Sequence, residues 1–303
     1  MSTPCGRPTT SKPTPTTPTV QAALKAGHVA LTGTSDSPRL DAELLLCPAL
    51  RRERAWLYAN PDACCGPDGH TVYRALLSRR TEGRPLAQLT GTKEFWSLPL
   101  TVSEFTLTPR PETEGLVEQA LLRLPQKRLA RVLDLGTGAG PIAIALATER
   151  AALTIVATDN SSSALEIARQ NAARHAPGRI EFCEGNWFAA LQNQQPFDMI
   201  ISNPPYIGES EEDVTDRELR FEPTQALYSG KDGLAAIRHI VAHATTWLRP
   251  HGWLLLEHGY QQAGLISALF SAARLTTLSQ HADLAGHARV SCAQRGADAE
   301  VTA

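Results

Sequence analysis

One stretch limits the architecture more than any other. Arg131-Val132-Leu133-Asp134-Leu135 is a short apolar run that stops in Gly136-Thr137-Gly138-Ala139-Gly140, and Ile142 to Arg150 then reads as a helix. A strand giving way to a glycine loop and a helix begins an alternating α/β fold, and glycine lets backbone approach a ligand closely because it has no Cβ. The alternation continues. Thr154 to Thr158 reads as a second strand ending at Asp159, followed by a helix from Ser163 to His175. Ile180 to Cys183, Phe197 to Ser202 and Trp253 to Glu257 supply three more strands. Strands alternating with helices predict a parallel sheet covered on both faces. Ligands on such sheets bind beyond the carboxyl ends of the strands, where the strand order reverses. The loops starting at Gly136, Asp159, Gly185 and Asn203 are therefore the places where chemistry is expected.

The flanking segments have different textures. Residues 1–19 hold seven Thr and five Pro and almost nothing large and apolar, so they are expected to be a disordered tail. Residues 20–90 read as a helical domain. Ser37-Pro38 starts one helix with Leu40, Leu44 and Leu45 on a shared face, and Val72, Leu76 and Leu77 mark another, with Gly66-Pro67-Asp68-Gly69 between them. Residues 91–110 form a β-rich connector, with strands Phe95–Leu98 and Leu100–Val102 turning around Pro99, then Phe105–Leu107. The larger domain is expected over 111–295, with a short tail over 296–303.

Composition removes several function classes. The formal charge is −2, against a protein that binds by blanketing a nucleic-acid backbone with positive charge. No apolar run reaches the ~18 residues of a membrane-spanning helix, and no apolar signal core stands near Met1. Six scattered cysteines without metal-ligand spacing fit a reduced cytoplasmic protein. His239 and His243 lie four apart but Ile240 replaces the Glu of a zinc-protease helix, so they read as surface residues. The basic clusters Arg51-Arg52 with Arg54 and Arg79-Arg80 with Arg84 read as solvated helix faces. Asn160-Ser161-Ser162 matches a glycosylation acceptor, which has no meaning without export.

Two motifs carry chemistry. The loop spacing is G-x-G-x-G, with Pro141 where a dinucleotide fingerprint needs its last glycine. Asp134 before the loop opposes a pyrophosphate and suits a cationic amino-acid moiety. Asp159 ends the next strand, able to accept from both hydroxyls of a ribose. Together they point to a nucleoside ligand without phosphates, which S-adenosylmethionine fits; the plainer alternative is an ordinary tight turn. The second motif is Asn203-Pro204-Pro205-Tyr206, directly after a strand. Proline has no N–H, so carbonyls there lack their usual partners. The Asn203 side-chain carbonyl and the Pro204 backbone carbonyl can both accept from one planar –NH₂ group, with Tyr206 packed on its flat face.

The chain resembles the glutamine-specific protein methyltransferases that modify bacterial peptide-chain release factors (the PrmC/HemK family). The resemblance runs from about Asp36 to Arg295. It rests on Lys93-Glu94-Phe95-Trp96, Pro109-Arg110-Pro111-Glu112-Thr113-Glu114, Asp134 to Gly140, Asn203 to Tyr206, Arg220-Phe221-Glu222-Pro223 and Leu254-Leu255-Leu256-Glu257-His258-Gly259. The Arg-Pro-Glu-Thr-Glu segment separates release-factor enzymes from the relative that methylates a ribosomal protein. The resemblance implies a Rossmann-like class I S-adenosylmethionine-dependent methyltransferase domain with a small N-terminal helical domain joined by a β-hairpin. It implies methyl transfer from S-adenosyl-L-methionine to the side-chain amide of the glutamine in a Gly-Gly-Gln motif, supporting translation termination. Gly136, Thr137, Gly138, Ala139, Gly140, Asp159 and Trp187 would bind the cofactor, with Asn203 near its methyl end. Asn203, Pro204, Pro205 and Tyr206 would hold the glutamine, with Asn203, Pro204 and Tyr206 catalytic. No metal is required, and the helical domain would bind the release factor. Two departures stand out: Asn186 precedes Trp187 where relatives have Asp, and Pro141 follows the loop, tolerated in a helix's first turn. Competing readings are a nucleic-acid adenine amino-methyltransferase, which would need a basic groove, and a cofactor-binding regulatory module, which would have no use for Asn203.

Overall fold

A computed structural model describes residues 17–209 and 217–297; the expected tails lie outside it over residues 1–16 and 298–303. The chain divides into two compact units, Met1–Thr90 and Gly91–Ala303. The first is helical: α1 (Val20–Leu31), α2 (Pro38–Leu50), α3 (Arg54–Ala59), α4 (Pro67–Thr81) and α5 (Leu86–Thr90). Its core holds Leu31, Leu45, Leu46, Leu57 and Tyr73. The faces expected for α2 and α4 are each turned by about one residue: Leu40 and Val72 are exposed, while Ala42, Leu46, Tyr73 and Leu77 are inside. Buried polar residues explain the turn. Asp41, 2% exposed, pairs with Arg80 at 2.8 Å, and Glu43 takes Arg39, Arg54 and Tyr58. Arg80 and Arg54 therefore do not form the freely solvated faces expected of their clusters.

The second unit opens with a hairpin, β1 (Thr92–Phe95) and β2 (Leu98–Thr101), paired antiparallel. Its turn is Trp96-Ser97, both at positive φ, and Pro99 sits inside β2 opposite Glu94. The turn lies two to three residues before the one expected, because a two-residue hairpin turn of the primed type needs two consecutive positive φ angles and Pro cannot supply one. Phe95 and Leu100 are buried in the large unit's core, and Asn171 clamps the hairpin by accepting from Thr101 N and donating to Thr101 O. Phe105–Leu107 is loop rather than strand.

Next come α6 (Glu114–Arg123), β3 (Ala130–Leu135), α7 (Pro141–Glu149), β4 (Leu153–Asp159), α8 (Ser162–His175), β5 (Ile180–Glu184) and β6 (Phe197–Ser202). They are followed by α9 (Thr224–Leu227), α10 (Ala235–Trp247), β7 (Leu248–Glu257), α11 (Ala263–Ala272), β8 (Leu275–Ala282) and β9 (Ala288–Arg295). The sheet order is β5-β4-β3-β6-β7-β9-β8, parallel throughout except that β9 runs against both neighbours. The parallel sheet expected is thus a mixed one, closed by an antiparallel pair that the alternating pattern does not announce. Strand side chains divide by period two between two cores. Val132, Ile155, Met199 and Leu255 face α6 and α7, while Leu133, Val156, Ile200 and Leu254 face α10 and α11. Ile142 to Ala147 of α7 are all buried, so the helix shows no polar face to read.

Register is what builds the site. Leu135 pairs with Thr158 on one side and Ser202 on the other, Thr158 pairs with Cys183, and Ser202 pairs with Leu256. One residue further along, Glu184, Asp159, Gly136, Asn203 and Glu257 leave the same edge side by side. The order reverses here, since β4 lies on one side of β3 and β6 on the other.

Candidate active site

The glycine loop is a backbone structure. Gly136 and Thr137 N–H both donate to the Thr158 carbonyl at 2.9 Å, and Gly140 N–H returns to the Thr137 carbonyl. Gly136, Gly138 and Gly140 all have positive φ (71°, 56° and 85°), conformations that side chains resist. An added Cβ on Gly138 would meet nothing within 4 Å, while one on Gly136 would stand 3.4 Å from the Trp187 ring. The loop is thus bare toward the cleft, with an aromatic face beside Gly136. Asp159 ties the cleft together: Oδ2 accepts from Gly138 N at 2.9 Å and Oδ1 from Ser161 N at 2.9 Å. Each carboxylate oxygen keeps a second lone pair for a ligand. Burial raises the Asp159 pKa despite those backbone donors.

Asp134, read as lying against the ligand, is instead fully buried beneath the loop. It shares a strand face with Val132, and its Oδ2 accepts from the Thr137 hydroxyl at 2.6 Å. Enclosure in that apolar layer pushes its carboxyl up to about 7.

The cleft beside this loop is lined by Gly136, Gly138, Asp159, Trp187, Asn203 and Pro205 among the residues singled out from sequence. Thr137, Ala139 and Gly140 are buried behind the loop and outside that lining. Asn186 lines the cleft beside Trp187. Phe105, Gln225 and the Asn160-Ser161 pair also line it, and sequence reading missed all four as site residues. A bare glycine backbone, a ribose-sized acceptor and an aromatic wall fit an adenosyl group carrying no phosphate.

A second cavity adjoins the first. It is lined by Arg110, Glu112, Pro204, Tyr206, Glu257 and Arg289, and shares Leu107, Asn203 and Ala226 with the first. Asn203 therefore stands where a cofactor-sized cleft meets a separate chamber. Its Nδ2 donates to Thr113 Oγ1 at 3.1 Å, which turns the Oδ1 carbonyl the other way. The Tyr206 hydroxyl donates to Glu257 Oε1 at 3.3 Å, and the Tyr206 carbonyl accepts from Gln262 Nε2 at 2.9 Å. Gly233 leaves room for the same carbonyl, since a Cβ there would overlap it at 2.2 Å. Burial, then the Glu257 charge, pushes the Tyr206 phenol upward, so it stays protonated. Glu257, 1% exposed, is pushed up to about 7 by burial against hydrogen bonds from Thr113 and Tyr206 that lower it.

The wall opposite Asn203 is built from distant segments. Arg110 Nη2 reaches Glu222 Oε1 at 3.1 Å and Oε2 at 3.0 Å, and Glu222, 5% exposed, also accepts from Thr108 N. Glu114 Oε1 accepts from Trp96 N at 2.8 Å. Arg110 and Glu114 thus pin both ends of a short segment whose middle presents Thr113. His239 and His243 are exposed, their rings 4.4 Å apart on α10 and tilted by 34° to one another.

The Methyltransferase small domain family model matches residues 117–230, and the PrmC N-terminal domain model matches residues 22–91. The chain is 47% identical over 252 residues to the release factor glutamine methyltransferase of Xylella fastidiosa strain Temecula1, covering 83% of this chain and 91% of that one. It is 44% identical over 277 residues to the release factor glutamine methyltransferase of Coxiella burnetii, covering 91% and 99%. A methyltransferase structure from Pyrococcus furiosus superposes with a TM-score of 0.50 at 14% identity, covering 72% of this chain and 98% of that one, a likeness of fold. Among the described residues, no helix is long and apolar enough to cross a membrane.

Proposed function

The chain belongs to the release factor glutamine methyltransferase family, and on that footing we propose that it transfers a methyl group from S-adenosylmethionine to the side-chain amide nitrogen of a glutamine in a bacterial peptide-chain release factor. The glutamine is that of a Gly-Gly-Gln motif, and the reaction belongs to the cytoplasm, where translation ends. Residues 20–90 dock the protein substrate; residues 91–110 and 111–295 carry hairpin and catalytic domain. Nucleic acid is not read directly and no membrane is involved.

The observation that carries this reading is the row of strand ends. Gly136 and Asp159 sit beside Asn203 at one sheet edge, so a cofactor cleft and an amide-binding motif meet at one side chain. Gly136, Gly138, Asp159 and Trp187 hold the adenosyl group, with Thr137, Ala139 and Gly140 shaping the loop from behind. When bound, S-adenosylmethionine supplies an electrophilic methyl group on a sulfonium. An amide nitrogen is a weak nucleophile because its lone pair is delocalised into the carbonyl. Asn203 Oδ1 and the Pro204 carbonyl accept the two N–H bonds of the substrate –NH₂, which turns the nitrogen lone pair toward the cleft and favours positive charge developing on nitrogen. Tyr206 closes the chamber around the amide, while Pro205 lines the adjoining cleft. The methylated nitrogen then loses its surplus proton to water, so no strong base is needed.

Replacing Asn203 tests the assignment. Asn203→Ala removes the acceptor, at about 1–3 kcal/mol before misorientation is counted. Asn203→Asp keeps an acceptor, loses the donor toward Thr113 and adds a negative charge that favours the cationic ground state over a transition state whose charge is already dispersing. Calorimetry and turnover on one preparation should show cofactor affinity surviving in Asn203→Asp while turnover falls sharply. Unchanged turnover in both variants would mean that another group orients the glutamine.

A further inference from the structure

A side-chain amide is nearly symmetrical in shape but opposite in chemistry, so an acceptor role for Asn203 needs something that decides which way round its amide sits. Asn203 leaves the end of β6 with its Nδ2 3.1 Å from Thr113 Oγ1. Thr113 is 3% exposed, so no water competes for the position. An accepting hydroxyl can still donate once, and the neighbouring Glu257 carboxyl, whose Oε2 is buried without a hydrogen-bond partner, is the group placed to accept from it. Glu257 stands one residue beyond the Ser202–Leu256 pairing, so it is the strand-end neighbour of Asn203, and its Oε1 takes the Tyr206 hydroxyl at 3.3 Å. When Glu257 is ionised, the direction of every bond follows from one acceptor. A carboxyl that accepts from Thr113 leaves the Thr113 oxygen to accept from Asn203 Nδ2, and Asn203 Oδ1 is left toward the chamber. Thr113 is itself held at both ends of its segment, by Arg110 on Glu222 and by Glu114 on the Trp96 amide.

We propose that Thr113 is a positioning residue of this enzyme: backed by Glu257, its hydroxyl fixes the rotamer of the Asn203 amide so that Oδ1 is presented to the substrate –NH₂. The inference rests on the reading that Asn203 accepts from the substrate amide. It gives the Arg-Pro-Glu-Thr-Glu segment a task in catalysis, with the threonine facing the chemistry and the flanking charges anchoring it.

Thr113→Val keeps the shape and removes the acceptor, which leaves the Asn203 amide free to invert. In the full-length chain, kcat with a purified release factor should fall about tenfold or more, as expected for loss of one buried hydrogen bond and the orientation it sets. The dissociation constant for S-adenosylhomocysteine should be unchanged. Thr113→Ser should recover kcat to within about threefold, and Thr113→Ala, which avoids any clash from Val, should match Thr113→Val. In an Asn203→Ala background, adding Thr113→Val should cost nothing further, because the amide it orients is gone. Wild-type kcat in Thr113→Val, multiplicative losses in the double variant, or no recovery with Ser would each overturn the proposal while the role of Asn203 stood. Wild-type kcat in Asn203→Ala would instead overturn the reading beneath it.

Discussion

Asp159 shows how one side chain can serve the frame and the ligand together. Its oxygens hold Gly138 N and Ser161 N at 2.9 Å each, which joins the ends of two loops, and the same carboxylate lines the cleft. Asp159→Ala removes both frame bonds and both acceptors for a ribose; S-adenosylhomocysteine binding should weaken by about 1–3 kcal/mol by calorimetry. Asp159→Asn keeps one acceptor and should lose less; equal affinity in wild type and Ala would exclude the ribose role. The pattern by which Asp159 is found in sequence, an acid ending the strand after a glycine loop, also finds Asn203. Both are legible because each closes an apolar run. Thr113 and Glu257 are not legible as site residues on their own. Thr113 lies ninety residues before Asn203, and Glu257 becomes its neighbour only through the pairing of β6 with β7. Nothing local in either sequence carries that information, although a strand-end carboxylate that aligns with Asn203 is a signal once register is known.

Among the elements, the segment between β2 and α6 does most to define the chamber. It has little regular structure, so its position depends on side-chain anchors, above all Arg110 on Glu222. Burial raises the Glu222 carboxyl pKa and the Arg110 charge lowers it. Arg110→Ala leaves a buried carboxyl without its partner. At pH 8 this should destabilise the protein by about 1–3 kcal/mol, less than a fully buried pair because the Arg110 side chain is 29% exposed. At pH 5 the freed Glu222 can take a proton and the cost should shrink. Urea unfolding at both pH values measures this, and equal costs would mean that the pair does not anchor the segment. The same stretch is where reading by pattern fails. Pro99 invites a turn that belongs to Trp96-Ser97, and Phe105–Leu107 alternates like a strand but forms a cleft wall. β8 is not legible in the sequence for a related reason: from Thr276 to Ala282 no residue is buried, so its side chains carry no apolar alternation. By contrast β3, β4 and β6 are buried on both faces and stand out as continuous apolar runs.

For the molecule as a whole, two carboxyls have been placed where charge is disfavoured. Asp134 and Glu257 are fully enclosed and both are pushed up to about 7 by burial, with Glu112 adding to Glu257 and Arg289 opposing. A folded-state pKa above the unfolded value means the folded protein holds protons the unfolded chain has released. That stability is fully present below about pH 4 and is lost as pH rises through about 7. Between pH 5.5 and 8 the melting temperature of Glu257→Gln should therefore fall less than that of wild type; parallel curves would mean that Glu257 is charged throughout. The site as a whole serves one reaction, methylation of a release-factor glutamine whose amide Asn203 holds. The direct test incubates the full-length protein with isotopically labelled S-adenosylmethionine, a purified release factor and, in parallel, adenine-containing DNA, and maps the label by peptide mass spectrometry. A single methyl on the amide of the Gly-Gly-Gln glutamine, absent with Asn203→Ala and with DNA unlabelled, is the predicted result. Label on adenine, on another residue of the release factor, or undiminished in Asn203→Ala would contradict it.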